Sequence, residues 1–271
     1  MARIFISGSA DGLGLMAGEL LLQQGHHVTF HTRNDKRAEE LRRKLPNASD
    51  VVIGDVCTIA VMQTVAEQVN KVGRHDAVIH NVAVGYREQR PIATKDGLSQ
   101  LFAINTLAPY VLTALIMRPA RLIYLSSGLH RSGDPDLSDL QWTKRRWDSS
   151  QAYSDSKFHD VLIAFGVARR WPNVLSNALE PGWVATKMGG PGAPDDLTKG
   201  AVTQAWLAVS DDPAAKVTGQ YFFHQRPKPA SANALRTDLQ DQLLEHCREL
   251  TGIEITADVR TGTKTGMVRL P

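Results

Sequence analysis

The chain has few cysteines and no long apolar run. Its two cysteines, Cys57 and Cys247, stand far apart in 271 residues and form no metal-ligand spacing, which predicts a reduced chain. The apolar segment Ile4-Phe5-Ile6 is too short for a signal peptide. No stretch approaches the roughly 18 apolar residues that a membrane span needs. We therefore expect a cytoplasmic protein without a membrane span.

The chain also has no large excess of positive or negative charge. Lysine and arginine number 31 against 28 aspartates and glutamates, a net charge of +3, and the basic residues are scattered. The densest basic run, Lys144-Arg145-Arg146, is predicted to be a solvated surface turn, so no nucleic-acid partner is expected. His159 and His224 have no ligand-like neighbours in the sequence, and we expect no metal site.

Short apolar runs alternate with helical patterns along the chain. This alternation predicts parallel βαβ units, and hence one α/β domain with a doubly wound parallel sheet of about seven strands. The domain is expected to cover residues 1–253, followed by a tail, 254–271, without an assigned role. Strands are predicted at 4–6, 28–30, 51–53, 77–80, 122–125, 174–178 and 220–223. Helices are predicted at 13–24, 37–45, 59–72, 98–117 and 201–209, with one more that carries Tyr153.

A glycine-rich turn joins the first strand to the first helix. It contains Gly8, Ser9, Gly12, Leu13 and Gly14. The glycines allow a tight turn and close backbone approach to a pyrophosphate, and the helix N-terminus presents free N–H groups. In this context the turn predicts a nucleotide site, although a purely structural turn is the alternative.

The end of the second strand indicates the type of nucleotide. An acidic residue there would bind the ribose hydroxyl of NAD, but Thr32 cannot, whereas Arg33 can neutralise a 2′-phosphate. We predict NADP(H) rather than NAD(H), with Asp11 and Asp35 as opposing charges. Asp55, after the third strand, is placed to meet an adenine amino group unless it is a plain turn aspartate.

Tyr153 and Lys157 stand four residues apart in a predicted helix, so both side chains share one face. A phenol titrates near about 10 and is a poor base at neutral pH. An ammonium one turn away favours the phenolate, so the pKa of Tyr153 is expected to fall. Tyr-x-x-x-Lys also occurs by chance, and its meaning depends on the motifs upstream.

The glycine turn, Tyr153 and Lys157 together resemble the short-chain dehydrogenase/reductase family over about residues 3–252. Further motifs follow in the family's order: Asn81 after the fourth strand, Asn105 in a helix, Ser126-Ser127 after the fifth strand, and Pro181 to Thr186 after the sixth. The segment His80-Asn81-Val82-Ala83 resembles the family's Asn-Asn-Ala-Gly motif. Only Asn81 is identical to the motif, and Ala83 stands where the motif has its final glycine. The long interval between Ser127 and Tyr153 is similar to the retinol-dehydrogenase-like and protochlorophyllide-reductase-like branch.

The resemblance implies a role for each catalytic residue. Tyr153 is the general acid/base, Ser127 stabilises charge on the reacting oxygen, and Lys157 holds the nicotinamide ribose and lowers the tyrosine pKa. Asn105 completes a proton path through water. The implied cofactor contacts are Gly8, Ser9, Gly12, Leu13, Gly14, Arg33, Asp55, Val56, Asn81, Tyr153, Lys157, Pro181, Gly182, Val184 and Thr186.

The expected function is NADP(H)-dependent hydride transfer to or from a small to medium apolar carbonyl or alcohol. A C=C reductase and a non-catalytic NADP-sensing protein are alternatives, the second disfavoured because all four catalytic residues are present. The family resemblance also implies a homodimer or homotetramer, with a monomer as the alternative because the branch with a long insertion sometimes stays monomeric. Tyr86, Trp183 and Met188 either wall the substrate site or pack in the core, and His130 is expected to be a loop histidine.

Overall fold

Eight strands form one sheet in the computed structural model, which describes residues 1–46 and 50–258. The strand order is β3-β2-β1-β4-β5-β6-β7-β8. The first seven strands pair in parallel and only β8 is antiparallel. The strands are Arg3–Ile6 (β1), His27–Thr32 (β2), Asp50–Ile53 (β3), Ala77–His80 (β4), Arg121–Leu125 (β5), Leu175–Glu180 (β6), Tyr221–Phe223 (β7) and Arg226–Pro227 (β8). The doubly wound parallel sheet is thus confirmed, with a two-residue hairpin strand added at one edge.

Helices cover both faces of this sheet. They are Gly12–Gln23 (α1), Asp35–Lys44 (α2), Ile59–Val72 (α3), Gln100–Phe102 (α4), Ala108–Leu115 (α5), Ser149–Arg170 (α6), Leu197–Val209 (α7) and Thr237–Thr251 (α8). Successive strand residues point to opposite faces, so Phe5 joins one apolar cluster with α3, α5, α6 and α8, while Ile4 and Ile6 join a second cluster with α1 and α7.

Two helices differ from the sequence prediction in an informative way. The helix predicted over 98–117 spans 100–115 and contains a π-helical segment, Ala103–Leu107, between α4 and α5. Helix α8 is absent from the predicted elements, although its buried Leu239, Leu243 and Cys247 follow helical spacing. It packs against α6 and completes the core on that side.

Residues 254–258 pack against the domain. Ile255 is buried, the Trp171 indole donates to the Thr256 carbonyl (2.7 Å), and the Asp258 N–H donates to the Arg170 carbonyl (3.0 Å). The rest of the predicted tail, 259–271, lies outside the described residues.

The long segment between β5 and α6 is held down by Arg145. Its guanidinium binds Asp134 (3.0 Å) and Asp155 (2.8 Å) and lies over the Trp142 ring. The prediction of a solvated surface turn is therefore wrong for Arg145, because these contacts fasten the segment onto α6.

The chain order of the strands decides where a ligand can bind. The chain leaves β1 towards β2 and β3, then returns to the other side of β1 with β4. Such a reversal opens a crevice at the carboxyl ends of the strands. The glycine turn after β1, Asn81 after β4, Ser127 after β5 and Pro181 after β6 all lie at that edge. No helix within the described residues is long and apolar enough to cross a membrane.

Candidate active site

The glycine turn is built for close backbone contacts. Gly8 and Gly12 have φ angles of +64° and +56°, which side chains with a Cβ rarely adopt. A Cβ on Gly14 would lie 2.4 Å from the Asn81 Nδ2 atom, and one on Gly8 would lie 2.8 Å from the Val82 Cα atom. The turn therefore lies directly against the end of β4.

Neighbouring strand ends hold this turn by hydrogen bonds. The Asn81 side-chain amide donates to the carbonyls of Ser7 (3.1 Å) and Gly8 (2.9 Å). His31 Nδ1 accepts the Gly8 N–H (2.9 Å), so its Nε2 carries the proton and donates to the Gly54 carbonyl (2.8 Å). No motif in the sequence marks His31 for this role.

Ser9 and Val56, both predicted cofactor contacts, have buried side chains. The Ser9 hydroxyl donates to the Ile6 carbonyl (2.8 Å) and accepts the His31 N–H (2.9 Å), while its own N–H bonds the His31 carbonyl (3.0 Å). Val56 belongs to an apolar cluster. Their visible roles are structural, whereas Asp55 between β3 and Val56 is exposed.

The cationic residues beside the turn are arranged around Asp11. This carboxylate binds Arg37 of α2 (2.5 Å) and Lys187 of the loop after β6 (2.7 Å). Burial opposes ionisation, but these two cations outweigh it and lower the Asp11 pKa. Arg33 is exposed, and no other described residue pairs with its guanidinium. The charge of Asp11 is thus compensated, and Arg33 stays free for a ligand.

Tyr153 lies in the first turns of α6, a helix capped by the Asp148 carboxylate. Its hydroxyl lies 3.6 Å from the Met188 sulfur, and its ring meets the Tyr86 ring edge-on with centroids 5.3 Å apart. Lys157 Nζ lies 5.8 Å from the centre of the Tyr153 ring. Tyr153 and Lys157 therefore lie on the same face of α6, as their spacing of four residues predicts.

The pKa of Tyr153 lies above its ordinary value. Burial of the phenol is the largest cause; the Lys157 ammonium lowers the pKa, while Asp160 and Tyr86 raise it. The prediction of a lowered pKa is wrong for this structure, because burial outweighs the single ammonium. Tyr153 is accordingly a phenol at neutral pH, the form that can donate a proton.

Ser127 follows β5 and caps a short 3-10 turn, Gly128–Ser132, by accepting the Leu129 N–H (3.2 Å). The neighbouring Ser126 hydroxyl instead donates to the Lys157 carbonyl (2.7 Å) and is buried. Of these two serines, Ser127 is therefore the one whose hydroxyl proton is not used in a described hydrogen bond.

His130 is fully buried and braces the Ser127 loop. Its Nε2 accepts the Ser231 N–H (3.0 Å), so the proton resides on Nδ1, which donates to the Ser127 carbonyl (2.7 Å). His130 is thus a histidine of the segment after β5, as expected, and the residues that line the cavity do not include it. Its burial could not be predicted, because the sequence does not show that residue 231 returns to cover it.

Asn105 lies in the π-helical segment and fixes the chain beyond β4. Its side-chain carbonyl accepts the Val84 N–H (2.8 Å), and its amide donates to the Val84 carbonyl (3.0 Å) and to the Ser156 hydroxyl (3.0 Å). π-Helical segments are frequent at functional sites. These bonds join the chain after β4 to the helix that carries Tyr153.

A cavity of about 650 Å³ adjoins these groups. Ser127 and Tyr153 line it together with the predicted Pro181 to Thr186 segment, and Leu13 of the glycine turn also reaches it. Its walls are largely apolar and include Tyr86, Leu129, Trp183, Met188 and Phe223. Tyr86, Trp183 and Met188 therefore line the cavity, and Tyr86 and Met188 also pack against the small apolar cluster that contains Tyr153.

Comparison with known proteins agrees with this geometry. A family model described as short chain dehydrogenase matches residues 2–129. An uncharacterized oxidoreductase, AN7799 of Emericella nidulans, is 40% identical over 259 residues, covering 94% of this chain and 99% of the relative. The short-chain dehydrogenase chyC of Penicillium rubens is 38% identical over 264 residues, covering 95% and 100%. The chain belongs to the short-chain dehydrogenase family.

This short-chain dehydrogenase is also similar to retinol dehydrogenases, the branch that its sequence resembles. Retinol dehydrogenase 13 of Mus musculus is 26% identical over 282 residues, covering 92% of this chain and 84% of the relative. The enzyme is thus an oxidoreductase acting on CH–OH or C=O groups.

Solved structures support the fold of the dehydrogenase. An uncharacterised protein from Mycobacterium paratuberculosis superposes with a TM-score of 0.81, 24% identity and 94% of both chains covered. A blue fluorescent protein from a metagenomic library, in complex with NADPH, gives a TM-score of 0.65, 19% identity and coverage of 82% of this chain and 95% of the other.

Two charged residues that line the dehydrogenase cavity were not predicted from the sequence. Glu180 ends β6, is buried, and pairs with Lys228, which follows β8. A Cβ on Gly128 would come 2.5 Å from the other Glu180 carboxylate oxygen. Both residues line the cavity, and the pairing of β6 with β7 and of β7 with β8 brings them together. In residues 1–46 and 50–258, no group of His, Cys, Asp or Glu side chains is arranged to hold a metal ion.

Proposed function

We propose that this dehydrogenase uses NADP(H) to interconvert an apolar carbonyl compound and its alcohol. The observation that carries the proposal is the shared cavity: the Ser127 hydroxyl and the Tyr153 phenol line one apolar space beside the glycine turn. The proposal includes a cytoplasmic location and a homodimer or homotetramer, which come from the composition and the family resemblance respectively.

The residues present fit a dinucleotide. Gly8 and Gly14 bring the turn so close to β4 that added side chains would collide there, and the N-terminus of α1 follows directly. Pro181, Gly182, Val184 and Thr186, which line the cavity, would meet the nicotinamide. Lys157 would hold the nicotinamide ribose, and Arg33 would meet a 2′-phosphate.

The catalytic side chains divide the work as follows. The bound nicotinamide supplies or accepts the hydride. Tyr153, a phenol at neutral pH, donates its proton to the substrate oxygen in the reducing direction. The Ser127 hydroxyl hydrogen-bonds the same oxygen as negative charge develops on it. The apolar walls exclude water and favour substrates with few charges.

The proposal is tested by NADPH consumption with aldehydes, ketones, quinones and enones, followed by identification of the products. We expect alcohols from the carbonyl compounds. Enones reduced at C=C with the carbonyl intact would instead indicate the C=C reductase. Tight NADPH binding without turnover of any substrate would contradict the proposal and favour a nucleotide-sensing protein.

Arg33→Ala tests the choice of nucleotide. A charge-assisted hydrogen bond is worth about 1.5–3 kcal/mol, so kcat/KM for NADPH should fall about 10- to 100-fold while that for NADH changes little. Arg42→Ala removes the same charge from an exposed position on α2 and is the matched control. Equal losses for the two nucleotides would show that Arg33 does not contact the 2′-phosphate.

A further inference from the structure

A buried carboxylate accompanies the catalytic lysine. Lys157 Nζ donates to the Leu125 carbonyl (2.8 Å) and to Asp160 Oδ2 (2.8 Å). The lysine and aspartate side chains are only 4% and 3% exposed. The ion pair is therefore removed from solvent, unlike most pairs three residues apart on a helix.

This carboxylate has no other visible task. Within the described parts of the chain, Lys157 is the one side chain that donates a hydrogen bond to Asp160. A buried charge is costly unless it is paired, and a well-packed apolar side chain would fill this position at no such cost. A requirement of the site, rather than of folding, is the better explanation for Asp160.

We propose that Asp160 is a positioning residue, which aims the Lys157 ammonium and balances its positive charge beside Tyr153. Two of the three ammonium protons are occupied by Leu125 and Asp160. One proton is left, and the catalytic use of that proton for a ribose hydroxyl rests on the proposed function.

Charge balance has a consequence for the phenol. With Asp160 ionised, Tyr153 faces a neutral pair, which favours the protonated phenol needed for carbonyl reduction. The other titratable groups that sense the Asp160 charge are Tyr124 on β5 and Tyr221 on β7. Burial raises the pKa of both phenols, as it does for Tyr110. The chain has five tyrosines, so the titration of Tyr153 has to be separated from that of the other four.

The direct test is an ultraviolet phenolate titration of Asp160→Asn, with each protein compared with its own Tyr153→Phe derivative to isolate Tyr153. The amide keeps the size of the side chain but leaves the ammonium uncompensated. We expect the Tyr153 midpoint to move down by on the order of one pH unit, the effect of one nearby opposite charge. Adding Lys157→Gln to Asp160→Asn should abolish the shift.

The matched control is Asp155→Asn, which removes another buried, ion-paired carboxylate of α6, the partner of Arg145. It should cost stability without moving the Tyr153 midpoint. Asp160→Ser, which admits water, serves as the second variant if the amide does not fold. An unchanged or raised midpoint in the folded variant, or the same shift in Asp155→Asn, would overturn the proposal.

A kinetic measurement separates this inference from the proposed function. In the direction of alcohol oxidation, which needs the phenolate, the rising limb of kcat/KM against pH should move down with the titration midpoint. A purely structural role would lower the rate at every pH without moving the limb. If neither carbonyl reduction nor alcohol oxidation is observed, the proposed function fails, while the titration still decides the role of Asp160.

Discussion

Tyr153→Phe is expected to lower kcat by about 10²- to 10⁴-fold, the usual contribution of a general acid or base. The phenylalanine ring fills the same space against Tyr86, and the hydroxyl that it removes lies near the Met188 sulfur only at the long distance of 3.6 Å. NADPH affinity and folding stability should therefore stay near the wild-type values. Turnover with the best carbonyl substrate, NADPH binding by fluorescence and a thermal melt measure the three quantities.

Tyr86→Phe is the matched control, because Tyr86 lines the same cavity and packs on the same ring. Its hydroxyl has no role in the proposed chemistry, so kcat should change by less than about threefold. If kcat fell by comparable factors in Tyr153→Phe and Tyr86→Phe, the activity would depend on the polarity of the cavity and not on the Tyr153 hydroxyl in particular. A Tyr153→Phe enzyme of nearly normal rate would remove Tyr153 from the mechanism.

Lys157→Met is expected to abolish turnover and to lower the free energy of unfolding by about 3–5 kcal/mol. The methionine occupies most of the lysine volume, but it leaves Asp160 buried without its cation and the Leu125 carbonyl without a donor. Breaking a buried pair on one side is costly because the remaining charge has no solvent to stabilise it. Urea unfolding at neutral pH measures the loss.

The double variant Lys157→Met, Asp160→Leu separates the loss of stability from the loss of turnover. Because both charges are gone, stability should recover to within about 1–2 kcal/mol of the wild type, whereas turnover should not return. Lys71→Met, on the exposed side of α3, should be nearly neutral. A single variant as stable as the wild type would show that the pair is not buried in solution.

The sequence predicts the frame of this enzyme well because the frame depends on local patterns. Alternation of short apolar runs with helical spacing yields the strands, and the positions of Gly8 and Gly14 predict the dinucleotide turn. Tyr153 and Lys157 share a face because residues four positions apart lie about one turn apart on a helix. The order of these motifs then identifies the family.

The surroundings of α6 could not be predicted in the same way. The spacing of Phe158, Val161, Leu162 and Phe165 indicates one buried face, yet every residue from 152 to 167 is buried. Helix α8, the segment held by Arg145 and the loop of His130 cover the other side. Because this burial comes from distant segments, neither the raised pKa of Tyr153 nor the Lys157–Asp160 pair follows from local sequence.

Because α6 is enclosed, the residues that determine stability and several of those that shape the cavity lie in different parts of the molecule. Helix α6, which carries Tyr153 and Lys157, is surrounded by protein from residue 152 to residue 167, so most substitutions there would disturb folding. Several walls of the cavity, among them Tyr86, Trp183 and Met188, come instead from loops, and Trp183 is 57% exposed. Residues on such loops can change at little cost to stability. New substrates are thus accessible through a few surface substitutions, while the chemistry stays protected in the interior.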